Sequence, residues 1–111
     1  MIDRGPKLTI EPHPRNVTVA RSFVVAGLAV LEVDEATREK ARLVISELVT
    51  QLVAQSSTIV VLLVPEHPSI RVETGSPLPR LPDDVVRIID ALSGIAVHAE
   101  ETCWTVAFEG A

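Results

Sequence analysis

Hydrophobic positions along the chain change period several times, and the changes mark out its elements. Residues 8–11 read as a short strand, ended by Pro12-His13-Pro14, which fits neither a ladder nor a helix. From Asn16 the period lengthens: Val17, Ala20, Val24, Gly27, Leu28 and Leu31 fall on one helical stripe, with Asn16 placed as its N-cap. Asp34 opens a second helix with the stripe Ala41, Val44, Ile45, Leu48 and Leu52. On its wet side Glu39 and Arg42 are spaced as a helical ion pair, and Gln55-Ser56-Ser57 ends it. Residues 58–64 are almost continuously β-branched or aliphatic, as in a strand covered on both faces. After the turn Pro65-Glu66-His67-Pro68, residues 70–74 alternate as a partner strand. Residues 75–82, GSPLPRLP, form a proline-rich loop. Asp83 or Asp84 starts a third helix with Val85, Ile88, Ile89 and Leu92 inward and Gly94 as its stop. Two strands close the chain, residues 95–99 and 103–108, turned at Glu100-Glu101.

The order β-α-α-β-β-α-β-β predicts an α+β fold. It is a two-layer sandwich with three helices on one face of a mixed, mostly antiparallel sheet. No linker or repeat interrupts it, so the 111 residues are expected to be one domain, 1–111. The other face of the sheet is poorly covered, which invites self-association or a partner.

Composition narrows the function. Hydrophobic residues make up 47% and charged residues 23%, as in a globular domain that buries a real core. A single cysteine, Cys103, leaves no internal disulfide, and a reducing, cytoplasmic setting follows as the default. MIDRGPKLTI lacks the features of a secretory leader. The longest apolar run, Ile59–Val64, is far below the roughly 20 residues of a membrane span, so no membrane association is expected. A net charge of −5 and only 3% aromatic residues argue against a nucleic-acid partner, which needs a basic face or stacking platforms.

Familiar catalytic patterns are absent. His13, His67 and His98 have no metal-ligand spacing with one another or with Cys103, and no metal is expected. His13 and His67 read as solvated turn residues, Cys103 as a buried inert thiol, and Asp83-Asp84 as a helix start. No phosphate-binding glycine loop or nucleophile elbow occurs. One pattern is more pointed: Glu47, Gln51 and Gln55 recur every four residues beside the Val44/Leu48/Leu52 stripe. Such a column is either the rim of a pocket or a solvated flank, and the residues alone favour the flank.

The stretch ARLVISELVTQLVAQSS resembles the N-box helix, commonly ELVxNAVxHA, of the anti-sigma factor serine kinases RsbW and SpoIIAB. These belong to the GHKL (gyrase, heat-shock chaperone, histidine kinase, MutL) group. LTIEPHPRNVTVARSFV is similar to that family's first strand and helix, IRVETGSPLPRLP to its VRVEVxDxSPxLP strand and loop, and RIIDALSGIAVHAEETCWTVAFE to its closing helix and hairpin. The resemblance runs over almost the whole chain and implies a histidine kinase-like ATPase fold.

In that family the N-box Glu polarises the attacking group, the Asn four residues on holds Mg²⁺, and an Asp in the second motif binds the adenine amino group. Glu47 matches the first position. Gln51 stands at the second, one methylene too long for an octahedral ion with ligands at about 2.1 Å. Ser76 stands at the third, followed by Pro77 instead of glycine; losing that charged hydrogen bond costs about 1.5–3 kcal/mol. The family's lid and glycine-rich turn are missing, since Pro82 runs directly into Asp83-Asp84, whose charge repels phosphate. The resemblance therefore implies a degenerate member with no catalytic residue expected beyond the family position Glu47. Gln51 and Ser76 are degenerate cofactor positions, and no ATP or Mg²⁺ is expected although intact relatives use both. The expected function is regulation of transcription by protein–protein binding, with a sigma factor or an anti-sigma antagonist as partner and a homodimer allowed. The alternative is a working serine/threonine kinase with an altered nucleotide site. A third option is a small-molecule sensor using the opened pocket.

Overall fold

The computed structural model describes residues 5–55 and 57–108. Its elements run β1 (Lys7–Ile10), α1 (Asn16–Val30), α2 (Glu35–Val53), β2 (Ile59–Val64), β3 (Ser69–Thr74), α3 (Asp83–Asp90), β4 (Ile95–Ala99) and β5 (Cys103–Phe108). This is the expected α+β order, with the last two strands at the expected bounds. Ser56, part of the expected helix stop, lies outside the described residues.

The five strands form one sheet in the order β1-β2-β3-β5-β4, and every neighbouring pair is antiparallel. The expected mixed sheet is thus corrected. The crossover through α3 does return β4 in the direction of β3, but β5 inserts between them and separates the only two strands that could have paired in parallel on that side. A βαβ unit split in this way keeps its crossover while every ladder stays antiparallel.

Register assigns the faces. Ile10, Ile59 and Thr74 lie in one row; Leu8, Val61, Val72, Trp104 and Ala99 in the next; Leu63, Ile70, Val106 and Val97 in a third. Most of these residues join Ala20, Val24 and Leu28 of α1, the α2 stripe, and Val85 and Ile89 of α3 in one hydrophobic cluster, so all three helices cover the same face. Trp104, only 2% exposed, is the large aromatic anchor of an otherwise aliphatic core. The opposite face carries Lys7, Val60, Arg71, Glu73, Thr105 and His98, with Leu62 and Cys103 buried among them.

Local chemistry departs from expectation at several helix positions. Asn16 is inside α1, not its N-cap: its Nδ2 donates to Glu11 O at 3.0 Å, because the Pro12–Pro14 turn brings that carbonyl back to the helix start. Asp34 does occupy the α2 N-cap position with extended backbone, but its side chain makes no capping bond. Ile88 is exposed, not inward, because α3 is only eight residues long and buries just Val85 and Ile89; Leu92, just beyond the helix, packs against the core as expected. Val49, unassigned by the apolar stripe, is fully buried, since α2 is covered on a wider arc by α1 and the sheet.

The α1–α2 connection is a Schellman turn. Glu32 N donates to Ala29 O and Val33 N to Leu28 O, both at 3.0 Å, with Glu32 at φ 62°. None of the described helices is long and apolar enough to cross a membrane.

Candidate functional site

The polar column on α2 is the first candidate. Glu47 and Gln51 are half-buried and Gln55 is exposed. At 100° per residue Lys40 shares the flank of Glu47 and Gln51, opposite that of Arg38 and Arg42. Lys40 Nζ donates to Ser93 O at 2.9 Å and to Ser93 Oγ at 3.1 Å, tying this flank to the turn after α3. The column therefore borders the side of the domain on which the β3–α3 loop and α3 lie.

Ser76, in that loop, is half-buried, and its hydroxyl is 2.9 Å from Ser57 Oγ just beyond α2. The loop is held further by Thr74 N donating to Thr102 O and Leu78 N to Glu101 O, at 3.1 and 2.9 Å. Its hydroxyl is thus engaged with a neighbouring hydroxyl of the same chain. Thr74, one strand position before the loop, carries a buried Oγ1 with no hydrogen-bond partner. Asp83 and Asp84 are both exposed in the first turn of α3, where they suit the helix dipole and oppose an anion. Among the described residues, no three His, Cys, Asp or Glu side chains gather into a potential metal site.

Neither Glu47, Gln51 nor Ser76 lines the cavities described next. Between α3 and β4, Leu81, Val86, Ile89, Val97, Ala99 and Trp104 enclose about 170 Å³, with Asp90 as the one ionisable lining residue. That is below the roughly 300–1,000 Å³ of ordinary small-molecule pockets.

A larger groove of about 450 Å³ runs between α1 and α2. Its floor is Val25, Ala26 and Ala29, and its walls carry Arg21, Arg38 and Arg42. Arg42 pairs with Glu39 at 3.1 Å, as the helical spacing predicts. Arg38 Nη1 donates to Val33 O at 2.6 Å, and Arg21 Nη2 to Thr18 Oγ1 at 3.0 Å. Three guanidiniums with one adjacent carboxylate make a local positive strip on a chain of net charge −5. Sequence reasoning noted only Arg42, as half of an ion pair. The spacing of Arg38 and Arg42, one turn apart, was the available signal; that Arg21 faces them depends on how the two helices pack.

On the open face of the sheet, Arg71 Nε donates to Glu73 Oε2 at 3.1 Å, and Glu100 lies at 4.0 Å from Arg71. The bond to Glu73 raises the Arg71 pKa, while burial raises that of the adjacent Cys103 thiol. The thiol is thus buried and protonated, an inert group.

No protein-family model matches the chain, and no curated protein matches its sequence.

Proposed function

We propose that the chain is a regulatory protein of the RsbW type, with the histidine kinase-like ATPase fold, a degenerate nucleotide site and action by protein–protein binding. The observation that carries the reading is the arginine-walled groove between α1 and α2: an apolar floor for contact area, flanked by forked donors for carboxylates. The partner is a sigma factor or an anti-sigma antagonist whose docking segment presents acidic side chains.

The residues at the nucleotide positions do not fit a Mg-nucleotide. Gln51 offers a longer amide where a compact Mg²⁺ ligand is needed, the Ser76 hydroxyl already bonds Ser57 and carries no charge for an adenine amino group, and two carboxylates stand at the α3 N-terminus. The alternative, a serine/threonine kinase with an altered site, has Glu47 half-buried on α2 in its favour.

Calorimetric titration of the chain against the purified sigma factors and antagonists of its source cell tests this reading. Binding of one of them in the micromolar range or tighter is expected, weakened at least tenfold by Arg38→Glu. Absence of binding by all of them, or binding indifferent to Arg21→Glu, Arg38→Glu and Arg42→Glu, overturns it.

A further inference from the structure

The small cavity between α3 and β4 lies at an edge of the sheet whose backbone groups are free. Glu100 N donates to Cys103 O at 2.8 Å, which makes Glu100 and Cys103 a hydrogen-bonded pair. Alternation then gives His98–Thr105 and Ala96–Ala107 the remaining bonds to β5. The N–H and C=O groups of Ile95, Val97 and Ala99 point away from the sheet, and no other described residue bonds them. The opposite edge is guarded: β1 is four residues long, follows Pro6, begins with exposed Lys7 and is succeeded by Glu11 and Pro12.

The cavity stands over the same stretch of β4. Val97 and Ala99 are in the helix-side rows of the sheet and line it beside Trp104, while Val86, 38% exposed, forms its rim. Its volume of about 170 Å³ suits one aliphatic side chain better than a whole small molecule. On α3, Asp83 and Asp90 share the face of Val86, three residues before it and four after it. Both carboxylates are exposed, and neither enters an ion pair among the described residues. Glu101, in the turn that ends β4, is a third exposed carboxylate. An apolar hole is thus flanked by negative charge, next to a row of free donors and acceptors.

We propose that this edge binds an extended basic segment of another protein, which adds a sixth strand beside β4. Main-chain bonds to Ile95, Val97 and Ala99 supply affinity, and alternate side chains supply specificity. A residue paired with Val97 or Ala99 puts its side chain on the helix side of the sheet, where a leucine fills the cavity. The residues two before and two after it are on that face as well, about 13 Å apart. Asp83 and Asp90 are about 10 Å apart along α3, within reach of a lysine or arginine at each of those positions. The pattern recognised is therefore basic-x-aliphatic-x-basic in an extended chain. Charge selects such a segment over a second copy of this chain, because β4, IAVHA, carries no lysine or arginine.

The proposal is independent of the regulatory reading, since the α1–α2 groove is walled by arginines and takes the opposite charge. Titration of the isotope-labelled chain with the peptide acetyl-TKVLVKT-amide, followed by NMR chemical shifts, reads it directly. Saturable shifts are expected at the Ile95, Val97 and Ala99 amides and at the Trp104 indole, with half-saturation below roughly 1 mM. Acetyl-TEVLVET-amide is expected to bind roughly tenfold more weakly. Asp83→Lys with Asp90→Lys should invert that preference, and both positions are exposed, so the fold is expected to survive. Val97→Pro removes an outward N–H that bonds nothing within the chain, and it is expected to weaken binding roughly tenfold or more. Should Val97→Pro fail to fold, the charge reversal decides alone. No saturable shift, equal affinity for the two peptides, or a preference unmoved by the double reversal overturns the proposal.

Discussion

Gly27 of α1 lies so close to β2 that a Cβ built on it stands 1.9 Å from Leu63 Cδ1. The helix rests on the sheet at this point through its backbone, and the absence of a side chain sets how near the two layers come. Gly27→Ala would gain about 1 kcal/mol of helix propensity, but overpacking of a tight core costs about 1–3 kcal/mol or more. A contact this short places the variant at the upper end. A net loss of about 2 kcal/mol is expected, read as a fall of roughly 8–16 °C in Tm. Leu63→Ala combined with Gly27→Ala should recover part of that loss in a double-mutant cycle, which a propensity effect alone would not do.

Glu32 provides the opposite case. It occupies the left-handed position of the α1–α2 Schellman turn at φ 62°, where glycine is at ease and a side chain is not. Glu32→Gly is expected to stabilise the fold by about 1 kcal/mol in urea unfolding without changing the m-value.

Thr74 carries a buried hydroxyl with no partner on a position otherwise facing the core, opposite Ile59. An orphaned polar group of this kind costs about 1–3 kcal/mol. Thr74→Val is expected to raise stability by about 1 kcal/mol, and a loss of stability on that change would mean the hydroxyl is bonded.

The Cys103 thiol gives the pH dependence a sign. Burial raises its pKa above the ordinary thiol value, so between the unfolded and folded values the native state holds a proton that the unfolded chain has lost. Its contribution is complete below the unfolded pKa of about 8.5 and is lost as pH rises through the folded one. The Arg71 guanidinium is also shifted up, from a value so high that it adds no slope in this range. The thiol's share of the unfolding free energy should therefore be constant to about pH 8 and fall above about pH 9. Cys103→Ala should flatten the difference. Native Cys103 should also resist alkylation until the protein is unfolded.

The element order was legible because period and punctuation agree locally. β4 and β5 came out at their bounds from alternating residues around Glu100-Glu101, and the α2 stripe from its spacing. Non-local facts were not legible. The insertion of β5 between β3 and β4, which makes every ladder antiparallel, depends on where the crossover lands and leaves no trace in composition. Asn16 was misplaced because a carbonyl five residues away captured its amide. Ile88 was misplaced because α3 stops at Asp90 and turns only Val85 and Ile89 fully inward, which leaves Ile88 partly exposed. At the candidate site, the polar column on α2 and the proline-rich loop were readable. The Ser57–Ser76 contact and the assembly of Arg21 with Arg38 and Arg42 were not, since each joins residues from separate segments.

The central claim is that this domain acts by contact and not through a nucleotide. Thermal unfolding with and without millimolar Mg-ATP and Mg-ADP tests it most directly. A ligand at 100 times its dissociation constant adds about 2.7 kcal/mol, roughly 10 °C for a domain of this size. The account predicts no shift with either nucleotide. A rise of several degrees that Glu47→Ala or Gln51→Ala abolishes would contradict it and put the kinase reading in its place.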